Sequence, residues 1–546
     1  MSRRLTVVAY AVNGSGLGHL TRMLAILRWI KRLGPLAGVT PEIYLLTSSE
    51  ACAMALEEGI AAFKIPSKTV IKNTDIPKEN YLRLAKQWIW HSIGLIRPDI
   101  LLIDTFPAGT FGELFQALDG PKAKVLIYRA VKEAFAKQEA IAALLPLYDR
   151  ILLPEEAGQP PREILPELAA KTRRIGPITL RSLEELRPRA EARRRLGVEG
   201  DSLAVFLSAG GGGDPNAERV LLSVIEALRA VSGLHLVVGA GPLYHGEIVR
   251  GRGITWLTGF FASEDFLGLD LGISAAGYNS FHELLLAGVP TIFYSQEKIA
   301  DEQFRRVEAA TKAGAAFSLP VSEQGTFDKE VLLDLIDRLR DEALRKQTSE
   351  SARALVPRSA AREAAAQVLS TLLPKRAIDE ALQLGDHKFF IALAKHQLSF
   401  SSALELLSAL APEEALSAKE RRQLLFSLLP LVGPQGLLLF LALYRKFSAP
   451  KSFAEAQAAI EGAAKIVSAL QGFQDERGAL SVIRLLPVDK LLSLPALAEE
   501  LGLFLALLQR HQESLFRGLA ILSQHMGPLS QERSLLAVVR LSCQEF

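Results

Sequence analysis

Short apolar runs alternate with helix-length amphipathic segments along the chain until about residue 374, where the alternation stops. The first series is Leu5–Val12, Glu42–Thr47, Ile100–Asp104, Lys124–Tyr128 and Arg150–Leu153. Runs this short, each separated from the next by a helical pattern, predict parallel strands of a doubly wound α/β sheet. Arg174-Ile175-Gly176-Pro177-Ile178, followed by the charged stretch Arg181–Arg195, reads as a crossover. A second series then begins: Leu203–Ser208, Leu234–Val238, Ile254–Leu257, Leu269–Ser274 and Thr291–Tyr294. Two such halves in tandem place a cleft between the carboxyl ends of two sheets, where ligands bind. Beyond residue 374, leucine and alanine recur at helical spacing, with breaks at Pro412, Pro430, Gly433-Pro434, Pro450, Pro487, Pro495 and Gly527-Pro528. This predicts seven to nine helices with no fixed internal period. The expected domains are 1–177, 178–373 and an all-helical 374–546.

Composition narrows the function classes. A chain of 546 residues is too long for one core. The longest apolar run, Gly436–Tyr444, is about half of the roughly 18 residues that a membrane helix needs, and reads as a buried helix. A net charge of +3, without a basic patch interleaved with aromatics, argues against a nucleic-acid partner. Two cysteines, Cys52 and Cys543, exclude a disulfide scaffold and a cysteine zinc site. The first apolar run ends in a glycine loop instead of a signal-peptidase site, so the cytoplasm is the expected compartment. For 374–546, three roles stay open: packing on the core, a protein partner, or contact with the inner membrane face.

Three loops carry candidate chemistry. Asn13-Gly14-Ser15-Gly16-Leu17-Gly18-His19 follows the first strand and opens a helix near Leu20. Gly16 and Gly18 allow close backbone approach, and His19 puts a proton acceptor at the loop mouth. Gly210, Gly211, Gly212 and Gly213 follow the strand Leu203–Ser208, and a phosphate is the usual ligand of such a loop. The third loop, Ser274-Ala275-Ala276-Gly277-Tyr278-Asn279-Ser280, opens a helix carrying Glu283. Amides of Gly277–Ser280 suit a diphosphate, and a carboxylate at 283 suits the vicinal hydroxyls of a ribose. The alternative for Glu283 is a helix-capping carboxylate. Asp104 ends its strand at the same sheet edge as His19 and could hold the imidazole tautomer; the alternative is a strand-end turn residue.

The stretch 274–290 resembles the donor-nucleotide motif of GT-B glycosyltransferases. It is most similar to the group containing the bacterial N-acetylglucosaminyltransferase of the lipid-linked cell-wall precursor. Gly16–Arg22, Asp104–Leu114 and Ala276–Ser280 are similar to a set of poorly characterised bacterial glycosyltransferases. The resemblance spans roughly 5–370 and leaves out the helical tail. It implies two Rossmann-like domains across a cleft and metal-independent, inverting transfer from a nucleotide sugar, UDP-linked in the nearest group, with no cofactor. It further implies that Asp301 and Gln303 lie near donor-sugar hydroxyls, and that Gly259-Phe260-Phe261 reads the base. His19 would be the base, with Asp104 behind it. Arg22, Arg129 and Arg174, near loop edges, are candidates to meet acceptor or phosphate. The acceptor, whether glycan, lipid or small molecule, is not implied. Two other readings stay open: a nucleotide-sugar hydrolase of the same fold, whose signature also has Gly-X-Gly-His followed by Arg, and a non-catalytic binding protein with a helical partner-recruiting tail.

Overall fold

The computed structural model describes residues 3–12, 16–129, 143–257, 259–260, 262–296, 302–322, 324–410, 416–444 and 452–470. The chain forms two compact units, Met1–Asp379 and Glu380–Phe546.

The first unit holds two all-parallel sheets. One has seven strands: β1 (Arg3–Ala11), β2 (Val39–Thr47), β3 (Ala61–Lys64), β4 (Ile100–Asp104), β5 (Ala123–Ile127), β6 (Arg150–Pro154) and β7 (Thr172–Ile175), in the order β3-β2-β1-β4-β5-β6-β7. The other has six: β8 (Leu203–Ser208), β9 (Leu234–Gly239), β10 (Ile254–Leu257), β11 (Leu271–Ala275), β12 (Thr291–Tyr294) and β13 (Phe317–Ser318), in the order β10-β9-β8-β11-β12-β13. This is the expected GT-B architecture, two Rossmann-like sheets and a helical C-terminal region. β3, β7 and β13 were not expected; residues 174–175, expected in the crossover, finish the edge strand β7.

Strand order reverses between β1 and β4 in the first sheet and between β8 and β11 in the second. Loops leaving the carboxyl ends of neighbouring strands diverge at such points and open a crevice. The His19 loop and Asp104 lie at the first point, and the 210–213 and 276–280 loops at the second. The central strands are rigid platforms: β4 and β11 are buried along their whole length.

Four helices line the cleft, α1 (Gly18–Leu36), α2 (Lys68–Ile71), α3 (Lys78–Ile96) and α5 (Tyr278–Ala287), while α4 (Ala217–Leu228) follows the 210–213 loop. α1 and α5 each start two residues before the sequence pattern suggests. The chain crosses between sheets twice, and the crossings lie side by side. The Ala360 amide donates to the Pro177 carbonyl (2.8 Å), and the Ser359 hydroxyl donates to the Thr179 carbonyl (3.1 Å). After the return crossing, α6 (Ala361–Leu369) packs on α1, with Arg362 over the Trp29 ring. The last helix of 178–373 therefore packs on the first half.

The described residues of the second unit, which end at 470, are mostly helical, and the expected helices beyond that lie outside the described residues. Its longest helix, α7 (Ala418–Tyr444), continues through Pro430, Gly433 and Pro434, which the pattern treats as breaks. An interior proline costs about 3 kcal/mol. Burial of Leu424, Leu425, Leu428, Leu429, Phe440 and Leu443 along this helix outweighs that cost. Among the described residues, no helix is long and apolar enough to cross a membrane.

Candidate active site between the two sheets

A cleft of about 590 Å³ opens where the two switch points face each other. It is lined from the first half by Gly16, Gly18, His19 and Arg22, and from the second by Gly210, Gly211, Phe260, Gly277, Tyr278, Asn279, Ser280 and Glu283.

His19 stands at the second position of α1, its side chain 21% exposed. Its Nδ1–H donates to Oδ2 of Asp104, which is fully buried beneath it at the end of β4. That bond leaves Nε2 as the proton acceptor. Burial disfavours the imidazolium, and Arg22 and Arg129 add to this; Asp104 opposes it, and the net pKa lies below the ordinary histidine value. His19 is therefore neutral at pH 7.

Burial alone would raise the pKa of Asp104, but Arg22 and His19 hold it well below the carboxylate range. Arg22 grips Asp104 through Nε to Oδ1 (2.8 Å) and Nη2 to Oδ2 (2.6 Å). This corrects the loop-edge expectation for Arg22, which is 1% exposed and lies inside α1. One turn separates it from His19, a spacing that puts both on one helix face. Behind Asp104, Thr105 takes φ 63°, a left-handed conformation costly for a β-branched residue.

The guanidinium of Arg22 also lies 4.9 Å from the Tyr278 ring centre, with Arg129 at 5.7 Å and Arg306 at 5.8 Å. Tyr278 is the first residue of α5, and its hydroxyl accepts from the Ile178 amide (3.0 Å) in the crossover. The His19–Asp104–Arg22 group and the start of α5 are thus packed as one piece. The buried His282 donates from Nδ1 to the Tyr278 carbonyl and accepts at Nε2 from the Ala157 amide, a structural role joining the halves.

The N-cap of α5 is Gly277, which leaves the amides of Tyr278, Asn279 and Ser280 without partners in the helix. The Asn279 Oδ1 is buried without a partner and sits beside them. Glu283 lies in the second turn, so the capping alternative falls away. Its carboxylate instead accepts from the Leu180 amide (3.3 Å). Burial pushes its pKa up to about 7, against the Leu180 amide and Arg181.

Other expected donor residues sit elsewhere. Ser274 is fully buried, its hydroxyl donating to the Ala275 carbonyl. Gln303 is buried beneath the wall, where its side chain accepts from the amide of Gln296, a cleft residue. Gly212 and Gly213 do not line the cleft, and only the first half of the glycine run does. Gly211 is backed by Leu17 from the other half; a Cβ there would lie 3.0 Å from its Cγ. Arg174 is outside the cleft and pairs with Glu155 (3.3 Å). Arg129 lines it. Asp301, Phe261 and Gly14 lie outside the described residues.

The sequence reading missed how the 105–113 loop is built. Glu113 is fully buried and accepts from the Tyr10 hydroxyl (2.7 Å) and the amides of Thr110 (2.9 Å) and Phe111 (2.8 Å). Gly109 takes φ +81°, and a Cβ there would sit 2.1 Å from the Glu113 carboxyl carbon. Gly109→Ala is therefore expected to lower unfolding free energy by about 2 kcal/mol or more, measurable by denaturant unfolding. Glycine–glutamate spacing within an Asp-Thr-Phe-Pro-Ala-Gly-Thr-Phe-Gly-Glu loop is the signal that could have exposed it.

No family model matches this chain, and no curated protein matches it in sequence. Solved structures similar to it include the glycotransferase of kitacinnamycin (17% identity, 68% of this chain and 100% of that one, TM-score 0.47). MurG of Acinetobacter baumannii is 18% identical over 67% of this chain and 99% of its own, with TM-score 0.43. The spinosyn rhamnosyltransferase SpnG complexed with thymidine diphosphate is 15% identical over 67% and 99%, with TM-score 0.45.

Proposed function

We propose that this chain transfers a sugar, with inversion, from a nucleoside-diphosphate sugar to a hydroxyl acceptor. The observation that carries this is the pairing across one cleft of a neutral, carboxylate-held histidine with an uncapped helix N-terminus. Nε2 of His19 takes the acceptor's hydroxyl proton as its oxygen attacks the anomeric carbon. The bond from that carbon to the diphosphate oxygen breaks, and the nucleoside diphosphate leaves with the electron pair. Amides at the start of α5 and in the 210–211 loop offset its charge without a divalent metal. Asn279 and Glu283 accept from hydroxyls of the donor, Glu283 from the ribose. Phe260, beside Gly259, belongs to the base pocket, and uracil is the base proposed.

A melting-temperature screen with UDP-, GDP- and dTDP-sugars tests the donor. A ligand at about a hundredfold over its Kd adds about 2.7 kcal/mol to native stability. The expected result is a rise of several degrees with a UDP-sugar; no rise with any sugar nucleotide would overturn the proposal. Release of free sugar without need of an acceptor would indicate hydrolysis.

A further inference from the structure

We infer that the first-half wall of the cleft is an acceptor subsite for a hydroxyl compound with a flat apolar body and a carboxylate, the carboxylate being read by Lys68. This rests on the transfer reading for the word acceptor, though not for the binding chemistry. Both walls carry apolar side chains. The second-half wall sets Phe206, Leu257, Phe260 and Phe266 beside its glycines and helix-start amides, and the first-half wall presents Met54, Ile65, Tyr81, Phe106 and Phe111 together with Lys68. A flat apolar surface of this kind buries aromatic or alicyclic rings. Phe106 lies against the His19 ring, with centres 5.4 Å apart, so the apolar wall starts at the base itself.

Lys68, in α2, is the cation of this wall that stands beside Phe111; Arg22 and Arg129 also line the cleft, Arg22 bound to Asp104 and Arg129 over the Tyr278 ring. Its Nζ lies 4.4 Å over the Phe111 ring and donates to the Thr110 hydroxyl (3.1 Å). Among the described residues no carboxylate forms an ion pair with it. The nearby Glu113 is already committed to Tyr10 and two amides, and those same bonds fix the loop on which Phe111 and Thr110 stand. Burial lowers the pKa of Lys68, Glu113 opposes this, and Lys78 adds to it. An ammonium resting on an aromatic face and one hydroxyl retains donors for an anion. A single point charge suits a monoanionic carboxylate better than a phosphate dianion, which usually recruits several cations.

The test measures binding to the full-length protein without donor, using 4-hydroxycinnamate and its neutral near-isostere 4-hydroxycinnamamide, followed by saturation-transfer NMR and calorimetry. The acid is expected to bind about tenfold more tightly than the amide, the size of one charge-assisted contact. Lys68→Met should erase that preference, and Lys68→Arg should restore most of it. Equal binding of acid and amide, a preference that survives Lys68→Met, or no binding of either at millimolar concentration would each overturn the inference. Because no donor is present, a preserved acid preference alongside failed sugar transfer would sink the transferase reading and leave the subsite standing.

Discussion

Replacing His19 with alanine is expected to lower sugar transfer by a factor of about 10² to 10⁴, the usual worth of a positioned general base. Donor affinity should change by less than about threefold, since the proposed donor contacts lie on the other half. Single-turnover kinetics with a UDP-sugar, together with calorimetric donor titration, separate the two. If turnover survives in His19→Ala while donor still binds, the base has been misassigned. Asp104→Asn is a poorer probe. It would also reduce turnover, yet it breaks the two-pronged contact with Arg22 and leaves a guanidinium buried beside an uncharged amide. Breaking such a pair costs about 3–5 kcal/mol, so a drop in activity would be mixed with unfolding. Because the pKa of His19 lies below the ordinary histidine value, the acid limb it gives to kcat/KM for the acceptor should fall below about pH 6.5.

Glu283→Gln is expected to move stability and donor binding in opposite directions. The folded-state pKa of Glu283 is raised from 4.5 to about 7, so the fold prefers this carboxyl protonated. That preference is complete below about 4.5 and is lost as pH rises through 7. At about pH 8.5 the ionised, buried carboxylate costs the fold about 3 kcal/mol, which the neutral glutamine removes. The variant should melt higher than the parent at that pH, with the gap closing toward about pH 4.5. Donor binding should weaken, because an amide offers one acceptor where a carboxylate offers two. In the parent, donor affinity should fall as pH drops through about 7, since ribose hydroxyls select the ionised form, whereas in Glu283→Gln it should stay flat. A variant that melts lower at alkaline pH, or a parent whose donor affinity ignores pH between about 6 and 8, would refute this account.

Much of the fold was legible because its central strands are buried on both faces and read as unbroken apolar runs. β3, β7 and β13 escaped notice because edge strands are short and mixed. Ala61-Ala62-Phe63-Lys64 and Thr172-Arg173-Arg174-Ile175 leave half or more of their residues unburied. His19, Asp104, Gly277–Ser280 and Glu283 could be grouped because each follows a strand end, and parallel sheets bring those ends together. Arg22 looks from the sequence like a loop-edge cation free to meet acceptor or phosphate, because it follows a glycine loop near a helix start. Its burial depends on Asp104, 82 positions away, and on Tyr278, far beyond that. Ser274 and Gly212–Gly213 look like loop residues in a linear motif, and only packing decides that they turn away from the cleft. Pro430 and Pro434 misled for the same reason: local propensity marks a break, and tertiary burial overrides it.

The two adjacent crossings at 177–180 and 359–361 set the mechanics of the first unit. Bodies joined by two neighbouring tethers behave like a door on close-set pins. Swinging about the line through the pins turns few dihedrals, while sliding or twisting shears the bonds that Ala360 and Ser359 make to Pro177 and Thr179. The Leu180 amide, held by Glu283, sits at that pivot. A swing about that line must also part Arg22 from Tyr278, His282 from Ala157 and Arg306 from Glu156, so packing as well as the tethers resists it, and the carboxylate proposed to hold the donor ribose lies next to the axis.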